Sequence, residues 1–407
     1  MKILLSTIGS RGEVQPVLAL ALALRAEGHE PRLCVPPNFR EWIESFGLTC
    51  MTTGPDVKKL TGGSTPAISV RTLTAEQRRE LGMQTIRSQF QDVHAAARGC
   101  DLIVGAGELQ LAARSIAELL GILYVFACFC PITLPSPDHP PLLPSGEYLE
   151  ASSEPHSVRW KAQERSRDDL FLQTLNEQRA AIGLAAIDTV QRHVFTERPW
   201  LAADLTLGPA ATALGDMQIV QTGAWLLPEQ AALPEPLERF LAAGEPPLYF
   251  GFGSMSVPEG TGDLLLEAAR ALGQRAILSR GWADLAAADA GADCIHVEEV
   301  DHARLFPRVA AIAHHGGAGT TTTAALARRP QLIVPRMYDQ FYWAQRVQDL
   351  GIGVAGPAAK HVTLDSLVDA LRACLIPEKT AAAYAVASRI ELHGARNAAQ
   401  RLVTEFG

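Results

Sequence analysis

No stretch of this sequence is long and apolar enough to span a bilayer, which argues against a helical membrane protein. The first ten residues, Met1-Lys-Ile-Leu-Leu-Ser-Thr-Ile-Gly-Ser, lack the long apolar region and small-residue cleavage site of a secretory leader. A cytoplasmic protein without stable membrane insertion is therefore expected. Surplus positive charge is missing too. The chain has 36 Lys and Arg against 44 Asp and Glu, a net charge of −8, which disfavours nucleic acid and anionic membranes as partners. Its seven cysteines have no paired metal-ligand spacing. Cys128-Phe-Cys130 is a single C-x-C without a second pair, so buried free thiols in a reducing compartment are expected. No Asp-x-Asp occurs, so a divalent ion bridging a diphosphate has no support. The first βα turn lacks G-x-G-x-x-G, which argues against a dinucleotide oxidoreductase.

What is present is an ordinary globular composition, 47% hydrophobic and 20% charged, over 407 residues, enough for two separate cores. Residues 2–7 read as a strand, 14–26 as a buried helix closed by Gly28, 31–35 as a strand, 36–46 as a short helix and 48–52 as a strand. That alternation predicts a parallel, doubly wound sheet. Residues 54–74 have no periodicity and read as a mobile loop. A helix over 75–98 follows, then strands at 101–105 and 122–127 flanking a helix over 110–120. Residues 131–155 are proline-rich and irregular, and 159–182 is a charged helix. Long loops of this kind suggest cleft walls.

Prolines and weak periodicity over 207–236 put a boundary there. A second series starts at 248–252, with a turn at Gly253-Ser-Met-Ser, a helix over 264–272 and strands at 275–279 and 294–297. A short helix at 303–309, an apolar strand, a further strand at 331–335 and a helix over 341–350 complete it. The expected fold class is α/β, with two doubly wound Rossmann-like domains, 1–210 and 241–380, joined by a linker at 211–240. They are expected to face each other across a cleft, because ligands bind at the carboxyl ends of parallel strands. Residues 381–407 read as terminal helices.

The most informative stretch begins at Val309. An apolar run passes through His314-His-Gly-Gly-Ala-Gly319 into Thr320 to Thr323 and a helix. Strand, glycine-rich turn and helix start make an anion site. Gly316, Gly317 and Gly319 let the backbone approach a ligand. The unpaired N–H groups of the helix start, Thr320 among them, suit a phosphate or diphosphate. His315 can donate to a phosphate oxygen; alone, it would read as a turn histidine. Asp339 and Gln340 sit at an expected helix start and suit sugar hydroxyls. Trp282, in Ser279-Arg-Gly-Trp282, follows a strand and could stack on a planar base, or plug a strand end. Ser254 could reach a phosphate or simply form a turn. Glu13 lies just past the first strand. Ser10-Arg-Gly-Glu13 fits the capping box S-x-x-E, and the same carboxylate could serve as a general base.

The spacing of the His315 turn and the Asp339-Gln340 pair resembles the donor-binding signature of nucleotide-sugar-dependent glycosyltransferases of the GT-B fold. Gly9-Ser-Arg-Gly-Glu-Val-Gln-Pro16 resembles the opening of the sterol and glycopeptide-antibiotic glycosyltransferases. Pro199-Trp-Leu-Ala-Ala-Asp204, Gln221-Thr-Gly-Ala-Trp-Leu-Leu-Pro228 and Tyr249-Phe-Gly-Phe-Gly-Ser254 are similar to segments of the antibiotic enzymes, as is Ser279 to Leu285. The resemblance implies inverting O-glycosyl transfer from a UDP- or dTDP-sugar to a small lipophilic acceptor, with no metal and no cofactor beyond that co-substrate. It implies a donor site of Ser10, Arg11 and Gly12, of Ser254, Arg280, Trp282 and Val297, of the turn from His315 to Thr320, and of Asp339 and Gln340. It also implies terminal helices that cross back onto the first domain, and an aspartate acting as base where this chain has Glu13. Two other readings are a non-catalytic accessory protein and a sugar-nucleotide epimerase of the same fold. The first has no reason to keep the His315, Gly319 and Asp339-Gln340 constellation. The second needs further acid–base residues that nothing in the sequence singles out.

Overall fold

The computed structural model describes residues 1–58, 74–142, 153–228, 231–255, 257–283 and 285–407. Most of the loop expected at 54–74, and the middle of the irregular segment 131–155, lie outside the described residues.

The chain forms two parallel sheets. The first runs β3-β2-β1-β4-β5-β6-β7. Its strands are β1 (Lys2–Thr7), β2 (Glu30–Val35), β3 (Thr49–Thr52), β4 (Leu102–Ala106), β5 (Leu123–Cys128), β6 (Trp200–Leu201) and β7 (Val220–Gln221). The second runs β10-β9-β8-β11-β12-β13. Its strands are β8 (Leu248–Gly251), β9 (Ala276–Ser279), β10 (Cys294–Val297), β11 (Ala311–His314), β12 (Gln331–Ile333) and β13 (Gly353–Ala355). Ile3, Leu4 and Leu5 are all fully buried although successive strand residues point to opposite faces, so helices must cover both sides of the sheet. That is why these strands read as continuous apolar runs.

Each sheet reverses its strand order once, between β1 and β4 and between β8 and β11. Ligands of open α/β sheets bind in the crevice outside such switch points. Glu13 follows β1, the Gly253-Ser254 turn follows β8, and His315 follows β11. The topology thus puts the main sequence candidates at the two switch points.

Several elements were not legible beforehand. Strands β6 and β7 have two residues each, too short for a period to register. Strand β7 lies within 211–240 and pairs with β6, so part of that connection completes the first sheet. Helix Glu235–Ala242 packs Leu237 and Leu241 with Ile277 and Ile312 of the second half. Helix Gly394–Phe406 returns to the first half, burying Ala398, Ala399 and Leu402 against helix Arg11–Ala26 and its sheet.

The halves meet along an apolar seam. A Cβ on Gly208 would lie 2.8 Å from the Trp343 ring, so only glycine lets the two backbones approach here. Arg346 donates to the Leu207 carbonyl at 2.9 Å and to the Thr206 carbonyl at 3.1 Å. Buried Asp204 accepts the N–H of Glu391 at 2.9 Å. All seven cysteines are buried and free. No described helix is long and apolar enough to cross a membrane.

Candidate active site

The turn after β11 depends on two histidines with different jobs. His314 is fully buried. Its Nδ1 accepts the Gly316 N–H at 3.1 Å, so its proton sits on Nε2 and goes to Gln331 Oε1 at 2.9 Å. Gln331 in turn donates to the Thr321 carbonyl at 3.2 Å. Burial, then the neighbouring His315, hold the His314 pKa down at about 3. His314 is therefore a neutral strut fixing the turn, a role the sequence reading did not assign. Gly316 has φ +94°, and a Cβ there would lie 2.7 Å from Ile333 Cγ2, so no larger residue fits.

Helix Ala318–Leu326 begins directly after this turn. Its first N–H to a helical carbonyl runs from Thr321 to Gly317 at 2.9 Å, which leaves the N–H groups of Ala318, Gly319 and Thr320 without helical partners. Thr321, Thr322 and Thr323 turn their hydroxyls back to carbonyls four residues earlier, at 3.0, 2.9 and 2.9 Å. Among the described residues the Thr320 hydroxyl has no such bond. A Cβ on Gly319 would meet nothing within 4 Å, so that side is open.

His315 stands at this opening. Its Nδ1 is buried and has no hydrogen-bond partner. A Cβ on Gly253 would lie 3.2 Å from its Cε1, and one on Gly317 2.7 Å from its Nε2, so two glycines frame the ring. Burial lowers its pKa to about 4, which makes the ring neutral at pH 7 without a ligand. A buried, unpartnered ring nitrogen beside three free N–H groups is an arrangement shaped for an anion. Ser254 leaves its hydroxyl unbonded among the described residues.

Asp339 and Gln340 open helix Gln340–Asp349. Asp339 Oδ2 accepts the Trp343 indole N–H at 2.9 Å. Gln340 Oε1 accepts the N–H groups of Arg336 and Met337 at 2.8 and 3.2 Å, while its amide NH₂ has no partner among the described residues. Burial first, and then the charge of Glu13, push the Asp339 carboxyl up to about 6, against the pull of the Trp343 bond. Glu108, which follows β4 and is paired with Arg167, adds a smaller push on Asp339. Glu13 and Glu108 both lie near enough for their charges to oppose ionisation of Asp339. The role of Glu108 escaped the sequence reading because its partner is remote in the chain. The Asp339–Trp343 bond is an i,i+4 pair and could have been found.

Glu13 completes its capping box. Its Oε2 accepts the Ser10 N–H at 2.7 Å and the Ser10 hydroxyl at 2.9 Å, and Ser10 Oγ accepts the Gly12 N–H at 3.3 Å. Burial raises its pKa, and the bonds from Ser10 resist that rise. Among the described residues Oε1 has no hydrogen-bond partner. One oxygen is therefore tied down as a cap, and the other is not.

The remaining candidates are distributed around this core. Ser10 is engaged with Glu13. Arg11 crosses the cleft to Glu299 at 2.5 Å and lies 4.3 Å over the Trp42 ring. Arg280 gives its backbone N–H to the Val297 carbonyl at 2.9 Å, and its guanidinium forms an ion pair with Glu298 at 3.6 Å. The Val297 side chain is buried in the second half. Trp282 is half-buried and gives its backbone N–H to Gly253 at 3.1 Å, which ties it to the turn that frames His315. Among the described residues no group of three or more His, Cys, Asp or Glu is arranged to hold a metal ion.

Comparison with known proteins gives the family. Residues 3–136 match the glycosyltransferase family 28 N-terminal domain. Residues 283–400 match the erythromycin biosynthesis protein CIII-like C-terminal domain. The chain is 43% identical to the vancomycin aglycone glucosyltransferase of Amycolatopsis orientalis, covering 99% of this chain and 97% of that one. It is 41% identical to the dTDP-epi-vancosaminyltransferase of the same organism, covering 95% and 93%. The solved structure of the glycotransferase of kitacinnamycin shares the fold, with a TM-score of 0.76 and 16% identity over 100% of this chain and 99% of that one. With relatives matching it from end to end and two parallel-sheet domains meeting at their switch points, the chain belongs to the GT-B glycosyltransferases and is an enzyme of that class.

Proposed function

We propose that this enzyme transfers a sugar from a UDP- or dTDP-sugar to a hydroxyl of a lipophilic natural-product or sterol-like aglycone, with inversion and without metal or cofactor. One observation carries the reading: the unpartnered His315 nitrogen at an open helix start, in the same crevice as Asp339 and Glu13. The relatives' names support it, one containing a dTDP-sugar and one an antibiotic aglycone.

The diphosphate sits on the N–H groups of Ala318, Gly319 and Thr320 and on His315, with the Thr320 and Ser254 hydroxyls within the same turn region. The nucleobase lies on Trp282. Asp339 accepts from sugar hydroxyls, and the amide NH₂ of Gln340 donates to them. Glu13 Oε1 takes the proton of the acceptor hydroxyl as its oxygen attacks the anomeric carbon. The bond from that carbon to the diphosphate oxygen breaks in the same displacement, which inverts the centre. The electron pair leaves with the diphosphate, and the helix start and His315 stabilise its charge. A raised Glu13 pKa makes the carboxylate a stronger base than an exposed one.

Asp339→Ala should weaken binding of the sugar nucleotide by roughly tenfold or more while hardly changing affinity for the free nucleoside diphosphate, since hydrogen bonds to a charged group contribute about 1.5–3 kcal/mol. Calorimetric titration of both ligands tests this, and equal losses for both would sink the sugar assignment. The pH dependence follows from the same group. Sugar hydroxyls favour the carboxylate, so binding lowers the Asp339 pKa from its starting value near 6. The preference for sugar nucleotide over free nucleotide should therefore be full above that pH and shrink as pH falls through it. A preference that stays flat between pH 5 and 8 contradicts the role.

A further inference from the structure

Trp282 has a ring partner from the opposite half of the molecule. Its indole stacks on Phe39 with centroids 5.7 Å apart and planes 22° from parallel. Phe39 belongs to a short turn after β2 and is 4% exposed. Trp42 also packs on Phe39, with centroids 6.2 Å apart and planes tilted by 60°, and Trp42 is in turn covered by Arg11, which is paired with Glu299. Among the described residues no second ring or cation lies on Trp282. The turn that carries it lies directly against the Gly253 turn. Gly281 has φ +53°, and a Cβ there would lie 2.5 Å from the Gly253 carbonyl.

We propose that Phe39 is a positioning residue for the nucleobase. This rests on the reading that Trp282 carries the base. An indole has two faces. Phe39 covers one and fixes the ring plane, leaving the other as a preset platform for a planar heterocycle. Offset stacking holds ring orientation as well as burying area. A platform ordered before the ligand arrives also costs less to occupy than one ordered on binding. The first half thus contributes to donor affinity through the second half's tryptophan, without touching the nucleotide.

The probes are UDP, dTDP and inorganic pyrophosphate, the last having no base, titrated into the full-length protein by calorimetry. Phe39→Leu should weaken UDP or dTDP by roughly three- to tenfold, the range of an aromatic pair. It should leave pyrophosphate binding unchanged. Phe39→Tyr, which keeps the ring, should bind all three ligands as the parent does. If Phe39→Leu melts far below the parent, Phe39→Met replaces it. Parental affinity of the aliphatic variant for both nucleotides overturns the proposal. An equal fractional loss for pyrophosphate also overturns it, because Phe39 then acts on the domain contact and not on the base. Trp282→Ala separates the two levels. Parental nucleotide affinity in that variant removes the base platform itself. A loss there without a loss in Phe39→Leu removes only the role of Phe39.

Discussion

Glu13→Gln is expected to melt near the parent, to bind donor normally, and to lose turnover by about 10²–10⁴-fold. Two roles meet at this side chain. As a cap it accepts the Ser10 N–H and hydroxyl through Oε2. Truncating such a cap costs about 0.5–2 kcal/mol of stability and little else. As a base it needs a second oxygen that can take a proton. Glutamine separates the two, because its carbonyl oxygen fills the capping box but cannot serve as a base at neutral pH. Glu13→Asp should keep a measurable part of the activity, since the carboxylate survives with a shorter reach. The charge also matters to its neighbour. Glu13 raises the Asp339 pKa, so Glu13→Gln should carry the sugar-nucleotide preference to lower pH. Steady-state turnover, thermal melting and donor titration on the same preparations check all three points. A Glu13→Gln enzyme turning over at the parental rate would leave Glu13 as a helix cap, with the base elsewhere in the first domain.

His315→Ala should weaken nucleoside diphosphate binding by about 10- to 100-fold. A hydrogen bond to a charged group contributes about 1.5–3 kcal/mol, and the group left behind is an anion at a helix start. The sign of the pH effect is fixed by the ring's environment. Burial holds the free ring at about 4. A bound diphosphate favours the imidazolium and raises that pKa. The parent should therefore gain affinity, relative to His315→Ala, as pH falls through the raised value toward the free one, with a proton taken up on binding. Taking the ratio of the two proteins cancels the titration of Asp339 and of the ligand. Calorimetry in buffers of different ionisation enthalpy measures the proton directly. A ratio independent of pH would mean that His315 binds only as a neutral donor.

Much of the site was legible because its chemistry is local in sequence. The turn from His314 to Thr320 carries its strand, glycines and helix start within one run. Asp339 and Gln340 sit at one helix start, and the Ser10–Glu13 box closes within one helical turn. The sheets were legible because strands buried on both faces read as apolar runs. What escaped depends on contacts between distant parts of the chain. The Glu108–Arg167 pair, the Phe39–Trp282 stack and the Arg11–Glu299 bridge join residues from separate elements. His314 escaped for another reason. A strut histidine and a ligand histidine look alike in sequence, and only the burial and bonding of each ring separate them. The two-residue strands β6 and β7 are held by their neighbours and not by any pattern of their own.

The most direct measurement is a thermal-shift comparison of the full-length protein with UDP, dTDP, GDP and NAD. A nucleotide at 100 times its dissociation constant stabilises the fold by about 2.7 kcal/mol. For domains of this size that corresponds to a rise of several degrees, roughly 2–4 °C per kcal/mol. UDP or dTDP should raise the melting temperature, and NAD should leave it unchanged. A shift with NAD, or no shift with either uridine or thymidine diphosphate, would contradict a nucleotide-sugar site at His315.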